Sequence, residues 1–206
     1  GSEMCIRDRI ILFKTILSKL YHWKIYVVGS VEYQYPNHLF QAGYFLDKKY
    51  YDENTIDFKH LLLSEKNQSL LKDIQNSNSV GVHIRRGDYM TKQNLVIFGN
   101  ICTQKYYHDA IRIITEKVND AVFYVFSDDI SWVQTHLDIP NAVYVNWNTG
   151  ESSIYDMYLM SSCKYNIIAN STFSYWAARL NKKTNMVIYP SKSVSYTHLT
   201  LPTILR

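Results

Sequence analysis

Five short apolar runs, separated by stretches of helical spacing, leave this 206-residue chain few folds to choose from. The runs are 80–84 (VGVHI), 121–126 (AVFYVF), 142–145 (AVYV), 165–169 (YNIIA) and 186–190 (MVIYP). They are short, rich in β-branched and aromatic residues, and mostly apolar without alternation, the pattern of strands buried on both faces. Between them lie helix signals. Thr103 can cap a helix over 104–117, another starts near Trp132 and reaches Leu137, Ser152 or Ser153 caps one through Ser161, and Ser171 or Thr172 opens one towards Leu180. A helix after each strand brings the chain back to the same edge of the sheet. The expected architecture is α/β, a Rossmann-like doubly wound parallel sheet.

The first seventy-odd residues are less regular. Residues 10–23 carry Ile10, Leu12, Phe13, Ile16, Leu17 and Leu20 at amphipathic spacing, and 24–28 reads as a short strand. The stretch 33–51 is aromatic-rich and irregular, with Pro36 and Gly43 as breakers, 61–74 has helical spacing, and 91–102 reads as a loop. An apolar share of 47% with 19% charged residues is globular, not disordered. The formal charge of +4 is too small for a nucleic-acid arm or a polybasic membrane patch, which leaves no nucleic-acid partner to expect. No apolar run approaches the length of a membrane span. Eighteen tyrosines suit half-buried surface, and some could stack on a base or a sugar.

Both termini read as foreign. Residues 4–9 (MCIRDR) are what ATG TGT ATA AGA GAC AGx encodes, a transposon end used in tagmentation sequencing libraries, and 194–199 (VSYTHL) matches its reverse complement. Residues 200–204 (TLPTI) continue into the adjoining adapter. The expected division is therefore 1–9 and 193–206 as adapter-derived, 10–75 as the remnant of an amino-terminal lobe, and 76–192 as a ligand-binding lobe. Excluding the ends lowers the charge to about +3. It also leaves Cys102 and Cys163 without CxxC or metal-ligand spacing, which fits a reducing compartment better than a disulfide framework.

The chemistry gathers where strands end. His83-Ile84-Arg85-Arg86-Gly87-Asp88-Tyr89 closes the first run, at the edge where open α/β sheets bind ligands. Guanidinium groups offer planar forks of donors to phosphate oxygens, and a glycine after them lets the backbone approach closely. Arg86-Gly87-Asp88 as an adhesion tripeptide is too short to carry weight. Ser127, Asp128 and Asp129 end the second run at the same edge, and three readings stay open for the carboxylates. They could hold a divalent metal beside a diphosphate, accept from a guanine edge or a ribose hydroxyl, or, for Asp129, cap the next helix. Two arginines able to neutralise phosphates make a metal unnecessary. Asn170-Ser171-Thr172-Phe173-Ser174 forms a third site, where a helix amino terminus can both be capped and bind an anion. His22, His38, His60, His108 and His136 lack the clustering a metal needs.

The first string resembles the leading motif of α1,2-, α1,6- and protein O-fucosyltransferases, and its Gly87-Asp88-Tyr89 ending is most similar to the α1,2-fucosyltransferases of glycosyltransferase family eleven. Similar strings in that family surround Ile101-Cys102-Thr103 with Tyr106-Tyr107, Tyr124 to Asp129 with Trp132, Asp156 to Ser161, and Ile168 to Ser174. The order fits from about Gly43 to Pro190, with departures at Tyr175 and Ala177-Ala178-Arg179.

The resemblance implies a GT-B fold of two Rossmann-like lobes, with GDP-fucose held by the carboxyl-terminal one. It implies metal-independent, inverting transfer to the 2-hydroxyl of a galactose-terminated acceptor, with no cofactor. Carried over, Arg85 and Arg86 hold the diphosphate and His83 lines the pocket. Ser127, Asp128 and Asp156 lie near guanine or ribose, and Asn170, Ser171, Thr172 and Ser174 lie near the phosphates. Asp88 is the nearest candidate base, with a turn role as its rival. The implied setting is bacterial and cytoplasmic, compatible with peripheral membrane association through a lipid-linked acceptor. The family's Gly-Gly-Leu-Gly-Asn-Gln type loop is not found in the chain, so the fragment is expected to transfer fucose poorly. A catalytically silent GDP-sugar binding module and a metal-dependent transferase using Asp128 and Asp129 are the rivals.

Overall fold

The computed structural model describes residues 26–28, 40–42, 57–92, 95 and 101–191, without the side chains of 26–28, 40–42 and 88. The chain divides into two compact units, Gly1–Thr55 and Ile56–Arg206. In the first unit, strand β1 (Tyr26–Val28) pairs in parallel with β2 (Phe40–Ala42), Tyr26 opposite Phe40. The expected strand at 24–28 is present in shortened form. Residues 40–42 lie in the stretch read as irregular, because three residues are too few to show a period. The expected helix over 10–23 lies outside the described residues.

The second unit opens with helix α1 (Glu65–Asn76). Its expected start at Leu61 is four residues early. Ser64 holds an extended backbone and its hydroxyl accepts the Asn67 N–H at 3.3 Å, so the helix begins after it. α1 buries Asn67, Leu70 and Ile74 along one face and packs beside the first strand of the main sheet. It therefore belongs to the unit that begins at Ile56, although the sequence places it before the lobe boundary at 75/76.

The main sheet follows the expected alternation: β3 (Asn78–Ile84), α2 (Gln104–Lys117), β4 (Ala121–Ser127), α3 (Ile130–His136), β5 (Ala142–Val145), α4 (Ser153–Ser161), β6 (Tyr165–Ile167), α5 (Thr172–Leu180) and β7 (Met186–Ile188). All five strands are parallel, in the order β5-β4-β3-β6-β7. The chain starts at the centre, winds outward through β4 and β5, then returns to the other side of β3. Neighbouring β3 and β6 thus lead their connections to opposite sides, which makes the gap beyond their carboxyl ends the switch point of the fold.

Burial explains the unbroken apolar runs. Val80, Val82, Ile84, Phe123, Val125 and Ile167 are almost fully buried, and Tyr107, Ile111 and Ile114 of α2 cover one face. Each such side chain contributes about 1.5–3 kcal/mol relative to exposure. Gly81 permits the close approach of β6, since a Cβ there would lie 2.8 Å from the Asn166 amide nitrogen. Two tyrosines tie strand ends to α2. The Tyr107 hydroxyl donates to the His83 carbonyl at 3.2 Å, and that of Tyr106 donates to the Ile168 carbonyl at 2.7 Å. Tyr106 takes the half-buried role expected of the tyrosines, whereas Tyr107 is fully buried in the core.

Candidate functional site

A cleft of about 780 Å³ opens at the carboxyl edge of the main sheet. The ends of β3, β4 and β5 form its floor, and the start of α4 and of α5 form its sides. Seven of the residues singled out in the sequence meet here: His83, Arg85, Ser127, Asp128, Asp156, Ser171 and Thr172. Residues far apart in the chain, such as Ser127 and Ser171, which lie 44 and 88 positions beyond His83, are joined because every parallel strand ends at the same edge.

Asp128 organises the β3 end. One carboxylate oxygen accepts the backbone N–H of Arg86 at 2.8 Å, and the other meets the Arg85 guanidinium at 2.9 Å. Arg85 also lies against the Tyr89 ring, 5.8 Å from its centroid. A charged pair held by a backbone hydrogen bond fixes the direction of a long, flexible side chain. Gly87 makes this possible. A Cβ at that position would come within 2.5 Å of the Asp128 carboxylate oxygen, so any other residue displaces the clamp. The aspartate is thus engaged by protein at both oxygens.

Arg86 has another place. Its guanidinium stacks on Trp132, 3.6 Å from the ring centroid, and its Nε donates to Asp129 at 3.3 Å. It borders a smaller and more apolar cavity of about 250 Å³, with Met90, Cys102, Tyr107 and Trp132. Arg85 and Tyr89 border both cavities. The sequence could not separate the two arginines, because adjacent residues at a strand end take opposite faces only when the strand's twist and exit are known. Asp129 meanwhile caps α3, accepting the Trp132 N–H at 3.1 Å, and Ser127 accepts the Asp129 N–H at 3.0 Å.

The third strand end divides its residues likewise. Ser171 caps α5 by accepting the Phe173 N–H at 3.3 Å, and with Thr172 it borders the cleft. Ser174 is fully buried and its hydroxyl bonds the Ala169 and Ser171 carbonyls, so it secures the turn and does not line the cleft. Asn170 lines the smaller cavity instead, its carbonyl accepting the Tyr89 hydroxyl at 2.9 Å. The backbone of Asp88 sits in a 3-10 turn, Gly87–Met90, and its side chain lies outside the described residues. Among the described residues no three His, Cys, Asp or Glu side chains gather as metal ligands would.

Two ionisable groups in the cleft are displaced from their usual range. His83 is buried, its ring packs on Phe173 at 5.1 Å, and Nδ1 has no hydrogen-bond partner among the described residues. Burial, with Arg85 nearby, pushes its pKa down to about 3, so the ring is neutral. Asp156 moves the other way. Burial raises its pKa to about 7, against a hydrogen bond from the Asn148 amide at 2.7 Å that favours the ionised form. Asn148 and its neighbours Thr149 and Gly150 also line the cleft. The sequence reading missed them. The only local signal was the polar stretch Asn146-Trp147-Asn148-Thr149-Gly150 at a strand end.

The chain matches the family model described as Glycosyl transferase family 11 over residues 12–198. It is 35% identical over 173 residues to an α-1,2-colitosyltransferase of Escherichia coli, covering 79% of this chain and 56% of that protein. It is 44% identical over 120 residues to the E. coli O-antigen biosynthesis glycosyltransferase WbnK, covering 57% of this chain and 40% of that protein. A galactoside α-(1,2)-fucosyltransferase 2 of Pongo pygmaeus is 29% identical over 128 residues, 59% of this chain and 37% of its own length. The chain thus spans about half the length, or less, of these relatives. With the family match covering nearly all of it, the chain belongs to glycosyl transferase family 11.

Proposed function

We propose that the large cleft binds the GDP moiety of a GDP-linked deoxy sugar, GDP-fucose foremost, and that the parent enzyme transfers the sugar with inversion to the 2-hydroxyl of a galactoside. The observation that carries this reading is Arg85, a permanent cation held by Asp128 at the switch point of the sheet. Family membership and the α-1,2 linkage named for two relatives support it.

In this reading the base lies towards Asp156, whose ionised carboxylate can accept two adjacent N–H donors of a guanine edge. The diphosphate lies between Arg85 and the amino terminus of α5, where unpaired backbone N–H groups and the helix dipole favour an anion. Since Arg85 also borders the smaller, apolar cavity, a sugar leaving the second phosphate reaches a wall suited to a deoxy carbon.

As the acceptor oxygen attacks the anomeric carbon, the bond to the diphosphate oxygen breaks and GDP gains negative charge. A guanidinium already aimed there stabilises that charge without reorganising, an effect of several kcal/mol. The acceptor hydroxyl gives its proton to a base, for which Asp88 is our candidate. Arg85 and α5 supply the positive charge, so this reading needs no metal.

Calorimetric titration of the 206-residue chain tests the binding step. GDP and GDP-fucose are expected to bind, UDP and ADP to bind far more weakly, and EDTA to change nothing. Failure of GDP to bind refutes the reading. A longer parent that binds GDP-fucose and transfers nothing would make the domain a silent nucleotide-sugar module.

A further inference from the structure

Behind Asp156 runs a chain of hydrogen bonds that crosses from the cleft to α1. The Trp147 indole N–H donates to Asn67 Oδ1 at 2.8 Å. Asn67 Nδ2 donates to Asn148 Oδ1 at 3.0 Å, while Asn148 Nδ2 donates back to Asn67 Oδ1 at 3.1 Å and onward to Asp156 Oδ1 at 2.7 Å. Asn67 is buried, 2% exposed, so its amide makes these bonds out of reach of solvent. Lys66 lies over the indole ring, 3.7 Å from its centroid, and holds that ring against α1.

The direction of this chain follows from one group. An indole N–H can only donate, whereas a carboxamide can turn either way. Trp147 therefore requires oxygen from Asn67 on its side, which places the Asn67 NH2 against Asn148 Oδ1. That in turn leaves only the Asn148 NH2 to face Asp156. Were Asn67 turned, Asn148 would present its oxygen to the carboxylate, and two acceptors in contact would bind a proton between them. We propose that Asn67 is a positioning residue that sets Asp156 as a hydrogen-bond acceptor and so selects a nucleobase presenting adjacent N–H donors.

This inference rests on the GDP reading above. It also gives Asp156 a defined electrostatic setting. The other ionisable side chains on the cleft wall are His83, Arg85, Tyr89 and Asp128. Lys66 and Glu65 in the first turn of α1 and Glu151 in the turn before α4 are the charged groups beside the relay residues in the chain. Burial and the Asn148 hydrogen bond, not these charges, govern the Asp156 proton. In a pocket of this kind the relay lowers an otherwise still higher pKa, and GDP binding weakens as pH falls below that value because the protonated form cannot accept both donors.

The test is GDP affinity of the 206-residue chain between pH 5.5 and 9 for wild type, Trp147→Phe and Asn67→Ala, with thermal melting alongside. Comparison between variants cancels the titration of the nucleotide itself. Each variant is expected to move the midpoint of the affinity–pH curve upward by about one unit, a roughly fivefold loss at pH 7 that closes by pH 9. Trp147→Phe removes the N–H and keeps an aromatic ring beneath Lys66, so it reports even if Asn67→Ala melts too low to study. Binding of GDP with an unmoved midpoint in Trp147→Phe, whatever its melting temperature, overturns the relay alone. Absence of GDP binding at every pH overturns the relay and the GDP reading together.

Discussion

Adjacent arginines with the same charge should fail in opposite ways. Arg85 borders the cleft, paired with Asp128 at 2.9 Å, and Arg86 is stacked on Trp132 at 3.6 Å outside it. Replacing Arg85 by Ala removes charge-assisted bonds to phosphate worth about 1.5–3 kcal/mol. It also leaves the Asp128 carboxylate uncompensated beside an anion, so the total is about 2–3.5 kcal/mol, or roughly thirtyfold to a few hundredfold in Kd. Folding stability should hardly change, because the pair is partly solvated and surface pairs contribute about 0–1 kcal/mol. Replacing Arg86 by Ala loses a half-buried cation–π contact of about 0.5–2 kcal/mol and the ion pair to Asp129. For a chain of this size that lowers Tm by about 3–6 °C. GDP affinity should stay close to wild type, since the bond from the Arg86 backbone N–H to Asp128 survives the substitution. Calorimetry with GDP and a melting curve for each variant decide the matter. Equal loss of affinity in both, with unchanged Tm, would refute the separation and restore a joint grip on the diphosphate.

Three smaller perturbations probe the same site. Gly87→Ala should cost GDP affinity about tenfold with little change in Tm, because its Cβ displaces the Asp128 carboxylate that aims Arg85 while lowering backbone entropy of the unfolded chain; wild-type affinity in calorimetry would show that Asp128 is not the clamp. Stability should fall on acidification through the range between the ordinary histidine value of 6.5 and about 3, since unfolded His83 takes up a proton that the buried ring refuses. A pH series of melts for wild type and His83→Gln reads this: the wild type should lose more over that range, and parallel curves would remove His83 as the cause. Ser174→Ala should lower Tm through the lost bonds to the Ala169 and Ser171 carbonyls, about 1 kcal/mol, and leave GDP affinity intact; a selective loss of affinity would return Ser174 to the phosphate site.

The order of elements was legible because burial on both faces writes itself into composition. Runs such as 121–126 can only be strands covered from both sides, and Thr103, Asp129 and Ser171 cap their helices through the side-chain oxygens that suit them to it. Local interactions of this kind need no knowledge of distant residues. The same holds for the cluster of chemistry at strand ends, since parallel strands joined by helices deliver every end to one edge.

What the residues do at that edge was decided by tertiary contacts. Arg85 faces the cleft and Arg86 the Trp132 ring of α3, a division no neighbouring residue encodes. Ser174 looks like its neighbours Ser171 and Thr172 in the sequence, yet one further step around α5 turns it into the core. Asn67 belongs to none of the strand-end motifs. It reaches the site only because α1 packs beside the sheet and presents a buried amide to residues some eighty positions away, where hydrogen-bond direction, not residue type, sets the chemistry of Asp156.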